Sequence, residues 1–215
     1  MPERSTLESG LPITFFRGPG TAAVIFAPPA FGVAPDLEAQ MAELARGAKL
    51  VAAFDPFFRD GRGLVPYDDM PSVMERVRAL DLEAVERDLH AAFSWSRGEG
   101  ASSIVIVGIC LGGPFALRAA AAGLVDAAVI WHGSRLHDHL GGSASTRCPI
   151  HFHFGSEDPL TPPSTVDAVR KAFPGPGVEI AVHAGATHGF THRTARAYDR
   201  VAEAAAMDSV RALIG

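Results

Sequence analysis

The sequence predicts a three-layer α/β fold on a mainly parallel, doubly wound sheet. Three observations carry that expectation. Apolar, β-rich runs alternate with helical segments along the chain. Several runs are apolar at nearly every position, as parallel strands covered on both faces are. No repeat, low-complexity tract or long linker interrupts the alternation, and 215 residues suit one domain, residues 1–215.

Taken in order, the predicted strands are Ile13–Phe16, Ala23–Ala27, Leu50–Phe54, Ile104–Val107, Ala127–Trp131, Ile150–Phe154 and Val178–Val182. Gly18-Pro19-Gly20 reads as a hairpin-like turn between the first two. Asp36–Arg46 reads as a helix with Asp36 as its N-cap. Leu82–Trp95 places Leu82, Val85, Leu89, Ala92 and Phe93 at helical spacing. Gly112–Ala122 follows the fourth strand directly, and Thr165–Phe173 and Arg196–Leu213 complete the helices. Pro174-Gly175-Pro176-Gly177 is the turn between the last strand and the helix before it. Ligands of such sheets bind beyond the carboxyl ends of the strands, so chemistry is sought there.

Composition narrows the function classes. Nineteen basic residues against 24 acidic ones leave a net charge of −5, which argues against a nucleic-acid surface. The first 20 residues lack a basic start followed by an apolar core, so no export signal is expected. The charge-free run Ala101 to Leu117 is broken by glycines and Pro114; it falls short of the roughly 20 residues a membrane span needs. Two cysteines, Cys110 and Cys148, are too few for a disulfide framework and point to a reducing cytoplasm.

The strongest chemical signal is Gly108-Ile109-Cys110-Leu111-Gly112-Gly113, between a strand and a helix. It has the form of a nucleophile elbow with cysteine in place of serine. Glycines let the backbones approach closely at so sharp a turn, and the helix N-terminus beneath Cys110 favours a thiolate. Read alone, the motif is equally a tight turn with a small buried cysteine. Asp158 stands just past the end of the sixth strand and His188 past the end of the seventh. Singly they read as a helix cap and a loop histidine. Together with Cys110 they stand in the order nucleophile, acid, histidine, with His188 as base and Asp158 as its orienting group.

With these motifs in place, the chain resembles the dienelactone hydrolase family, cysteine-nucleophile α/β-hydrolases. The likeness runs from about Val24 to the last helix and rests on Phe31-Gly32-Val33, Asp55-Pro56-Phe57-Phe58-Arg59, the Cys110 elbow, Gly155-Ser156-Glu157-Asp158 and Thr187-His188-Gly189-Phe190. The resemblance implies the α/β-hydrolase fold and a triad of Cys110, Asp158 and His188. It further implies an oxyanion hole from the backbone N–H groups of Leu111 and Ala30. Arg59 matches a family arginine that holds a substrate carboxylate. A second family arginine falls on His192, with Arg193 beside it, and these three form the expected substrate-binding set. Members that hydrolyse dienelactone carry a glutamate where this chain has Pro29.

The expected activity is hydrolysis of a lactone or activated ester through a thioester acyl-enzyme, on a small-molecule substrate and without cofactor or metal; the resemblance implies a dienelactone-type, carboxylate-bearing lactone as the first substrate class. A general carboxylesterase or thioesterase on the same triad is the alternative, and a ligand-binding or redox-sensing module the third reading. The cluster His132, His137, Asp138 and His139 has no defined metal spacing, and His151 and His153 share a strand face without a third ligand. Trp131 and His132, at a strand end, are candidate pocket residues. Cys148 reads as core packing. A monomer or small homo-oligomer is expected, with no nucleic-acid or membrane partner.

Overall fold

In the computed structural model, which describes residues 1–61, 63–142, 146 and 148–215, eight strands form one sheet. In chain order these are β1 (Glu3–Thr6), β2 (Pro12–Arg17), β3 (Ala22–Ala27), β4 (Leu50–Ala53), β5 (Ser103–Ile109), β6 (Ala127–Trp131), β7 (Ile150–Gly155) and β8 (Val178–His183). Their spatial order is β1-β2-β4-β3-β5-β6-β7-β8. Pairing is parallel from β4 through β8 and antiparallel only where β2 meets β1 and β4.

The helices are α1 (Pro35–Leu44), α2 (Met70–Arg78), α3 (Leu82–Gly98), α4 (Gly112–Ala121), α5 (Pro163–Ala172) and α6 (Arg200–Ile214). Strand alternation sorts the core into two layers. Ile25, Ile104 and Ile106 meet Val85, Leu89 and Phe93 of α3, with Phe115, Leu117 and Val169 from α4 and α5. Their neighbours Val24, Phe26, Val105 and Val107 face the other way, onto Leu37 and Met41 of α1 and Met207 and Val210 of α6. The unbroken apolar runs of β3, β5 and β6 follow from this double covering. Among the described residues, no helix is long and apolar enough to cross a membrane.

Local expectations are corrected at four places. Gly18-Pro19-Gly20 does not close a hairpin, because β2 pairs with β4 and the chain passes across that strand before entering β3. The cap of α1 is Ala34, not Asp36; Pro35 opens the helix, and the buried Asp36 carboxylate accepts the Tyr67 hydroxyl at 2.7 Å. The last helix starts at Arg200 rather than Arg196, because the Asp199 side chain caps the amides of Val201 and Ala202. Trp131 and His132 are both fully buried rather than open to a pocket.

Candidate active site

The elbow is built by close backbone contact. A Cβ on Gly112 would stand 1.8 Å from the Ala27 carbonyl oxygen, and one on Gly108 would stand 2.5 Å from that of Gly112. With α4 pressed so tightly against β3 and β5, Cys110 is driven to φ +50°, a left-handed conformation that a side chain adopts at a cost. The turn presents the half-buried Cys110 to a cavity, while its backbone N–H bonds the Trp131 carbonyl at 3.1 Å and anchors the elbow to β6.

The structure brings Cys110, His188 and Asp158 together at the carboxyl ends of β5, β8 and β7. His188 Nε2 lies 3.1 Å from Cys110 Sγ, and His188 Nδ1 lies 2.8 Å from Asp158 Oδ2. The other oxygen of the buried Asp158 accepts the Leu160 amide at 2.8 Å, so both carboxylate oxygens are engaged and its plane is fixed. Burial opposes charge on His188, but the hydrogen bonds to Asp158 and Cys110 and the charges of both outweigh it, pushing the imidazole up to about 10. This arrangement can hold a thiolate beside an imidazolium and pass a proton between them.

Leu111 and Ala30 line the same cavity as Cys110. Among the described residues, neither backbone N–H is taken by an internal acceptor, so both can donate to an incoming oxygen. Ser134, which the sequence reading did not single out, places its hydroxyl 3.9 Å from Cys110 Sγ, and its amide donates to the Cys110 carbonyl at 3.0 Å.

Tyr67 also escaped that reading, and the buried His132, expected to line the pocket, stands behind the site instead. Tyr67 stacks on His192 with ring centres 4.6 Å apart. His132, at φ +38°, packs edge-on against His188 at 4.9 Å and against His192 at 5.4 Å, with Nε2 2.8 Å from the Thr191 hydroxyl. Burial first, then the charges of His188 and His192, hold His132 well below the usual histidine range. Its left-handed backbone in a position after a strand is not readable from residue type.

The three expected substrate anchors behave differently. His192 lines the cavity, but burial lowers it to about 4, against the opposing pull of Asp36, so it stands neutral at pH 7. Arg59 is not among the cavity-lining residues. It makes a two-pronged pair with the buried Asp88 of α3, at 2.6 and 2.8 Å, and lies over the Phe58 ring. Arg193 likewise turns from the cavity and clamps Glu203 at 2.6 Å and Glu43 at 2.7 Å, joining α6 to α1. Each buried acid demands a cation, and the nearest guanidinium supplies it. Arg59→Ala is therefore expected to lower stability by about 2 kcal/mol, measured by urea unfolding, by stranding Asp88. A raised KM with unchanged stability would place Arg59 in the site instead.

The other signals have structural partners. His151 Nδ1 meets the Ser209 hydroxyl at 2.6 Å, and His153 Nδ1 lies 3.0 Å from His183 Nε2. His137 and Arg135 both pair with Asp138, and Cys148 is half-buried against the α3–α5 layer. Among the described residues, no group of three or more His, Cys, Asp or Glu is placed to hold a metal ion.

A strand–elbow–helix cysteine on this mixed sheet, with acid and histidine at the next strand ends, defines a protein of the α/β-hydrolase fold. Solved structures agree. A chain from Klebsiella pneumoniae superposes with a TM-score of 0.85 at 23% identity, covering 99% of this chain and 97% of that one. A dienelactone hydrolase-like promiscuous phosphotriesterase from metagenomic libraries gives 0.77 at 22% identity, covering 100% and 97%. At these identities the likeness establishes the fold. The model of the dienelactone hydrolase family matches residues 15–215, and the chain belongs to that family. It is 33% identical over 139 residues to a carboxymethylenebutenolidase of Pseudomonas putida, covering 63% of this chain and 58% of that protein. It is 28% identical over 141 residues to carboxymethylenebutenolidase 1 of Cupriavidus pinatubonensis, covering 63% and 60%. The matched stretch thus spans less than two thirds of these curated relatives.

Proposed function

We propose that the chain is a one-domain hydrolase of lactone or activated ester bonds, working through Cys110, His188 and Asp158. The observation that carries this reading is the continuous contact from Cys110 Sγ through His188 to Asp158, opening on a cavity. The Cys110 thiolate attacks the ester carbonyl, forming a C–S bond. The carbonyl electrons move onto oxygen, which the Leu111 and Ala30 amides receive. The intermediate collapses with cleavage of the C–O bond, and the departing alkoxide takes the His188 proton. Water then attacks the thioester, giving its proton to His188, and cleavage of the C–S bond returns the thiolate and releases the acid.

A thiolate is itself a good leaving group, so the tetrahedral intermediate partitions forward best when the alcohol leaves easily. Enol esters, lactones, aryl esters and thioesters meet that condition; amides do not. A neutral His192 at the second arginine position and Pro29 in place of a glutamate favour a general carboxylesterase or thioesterase over a dedicated dienelactone enzyme. Activity in the cytoplasm, as a monomer or small homo-oligomer and without metal or cofactor, completes the proposal. Incubation with p-nitrophenyl acetate is expected to release p-nitrophenolate in a burst and leave Cys110 acetylated, read as a mass increase on its peptide. Turnover with the acyl group on another residue would sink the assignment.

A further inference from the structure

The cavity over Cys110 is large and apolar where the family's expected ligand is small and anionic. Its volume is about 2010 Å³, against about 300–1,000 Å³ for ordinary small-molecule sites. Helix α2 contributes Met70, Val73, Met74 and Val77 to the wall, joined by Leu82 and Leu160. Of the eight large apolar side chains exposed to solvent among the described residues, four gather here, while Met1, Leu64, Val182 and Val201 are scattered elsewhere. Met70 is 48% exposed, Met74 43%, Leu82 48% and Leu160 51%, and all four border this cavity. Apolar surface left open in one place marks a binding site. Methionines suit a chain of variable shape, since their unbranched thioethers repack at little cost.

The charge pattern points the same way. Arg59 and Arg193 are held by buried acids, and His192 carries no charge at pH 7. Of the arginines that do border the cavity, Arg118 pairs with Glu86 and Arg135 with Asp138. Arg78 and Arg196 are exposed, where a guanidinium–carboxylate pair contributes little. Among the described residues, no buried arginine or lysine lines the cavity beside Cys110.

We infer that this cavity selects neutral esters or thioesters with an extended apolar acyl group over small carboxylate-bearing lactones. This selection rests on the hydrolase reading above. Each methylene moved from water onto the α2 wall raises kcat/KM by up to about fourfold, so an acyl chain is read by its length.

The test is a kcat/KM series on the full chain with p-nitrophenyl acetate, butyrate and octanoate, beside trans-dienelactone. The expected result is a rise of about tenfold or more from acetate to octanoate, with dienelactone below octanoate. Acetate equal to octanoate, or dienelactone foremost, would overturn the inference and leave the hydrolase reading standing. Met74→Glu, at an exposed position, is expected to lower the octanoate-to-acetate ratio by about tenfold; an unchanged ratio counts against the α2 wall. Ligand protection separates the two readings should no ester turn over. Octanamide should shield Cys110 from iodoacetamide, measured on its peptide, while succinate should not. Protection by succinate alone would overturn the selection whatever the catalytic outcome.

Discussion

Cys110→Ala is expected to lower kcat for p-nitrophenyl acetate by about 10³-fold or more while leaving the fold intact. The magnitude follows from the role proposed for Cys110. Nucleophile and base act as a unit, and removing either removes most of the chemistry, leaving only what the oxyanion donors and binding supply. Stability should change little, because Cys110 is half-buried and its sulfur leaves no deep cavity when deleted. Thermal unfolding and circular dichroism check that point independently of activity. His188→Gln should show a comparable loss and should also slow alkylation of Cys110, since the imidazolium that His188 brings is gone. A Cys110→Ala protein that retains more than about a tenth of wild-type kcat would show that another nucleophile operates.

The meeting of Cys110, His188 and Asp158 at one end of the sheet is legible in the sequence. Cys110 is announced by its glycines, whose close approaches the fold makes physical: Gly112 on Ala27, Gly108 on Gly112. Asp158 and His188 are announced by standing where apolar runs stop, and parallel strands end on one side of the sheet. Directions of long side chains are another matter. Arg59 and Arg193 occupy loop positions that face either way, and their partners Asp88 and Glu43 are 29 and 150 residues off. A buried carboxylate elsewhere in the fold, not the arginine's own neighbourhood, decides where each guanidinium goes.

Two elements, β1 and α2, lie outside the predicted set. All four residues of β1 are exposed, so no hydrophobic alternation marks it; only pairing with β2 makes it a strand. Helix α2 is short and buries only Val73 and Arg76: Val73 and Val77 pack with Ala30 and Phe57, while Met70 and Met74 stay exposed at the cavity. Met70, Val73, Met74 and Val77 nevertheless stand at i, i+3, i+4 and i+7, so the helical period of α2 is present in the sequence, beside Pro66 and Pro71, which read as loop.

The second large effect is on acid stability, expected to fall steeply between pH 7 and pH 5. Behind the site the structure buries neutral imidazoles. Burial lowers His192 to about 4 and His153 to about 3, the latter helped by His183 and His151, and it lowers His132 strongly as well. In the unfolded chain each takes a proton near 6.5, while in the folded chain each refuses it until far lower pH. The unfolded state therefore binds more protons, and stability falls with pH by about 1.4 kcal/mol per unit for each group. From pH 7 to pH 5 His192 and His153 each cost up to about 2 kcal/mol, with His132 adding in the same direction, against the 5–15 kcal/mol that holds a typical domain together. His188 has the opposite sign. Raised to about 10 by its partners, it adds stability that is complete below about 6.5 and fades as pH climbs through 10. Over the acid window it offsets about 1 kcal/mol, too little to compensate three buried rings. Urea midpoints at pH 7, 6 and 5 measure the slope, and His153→Phe, which keeps a flat ring against His183, should flatten it by about a third. Equal midpoints at pH 7 and pH 5 would mean that these rings carry protons in the folded protein. The neutral His192 wall on which selection against carboxylates depends would then be gone.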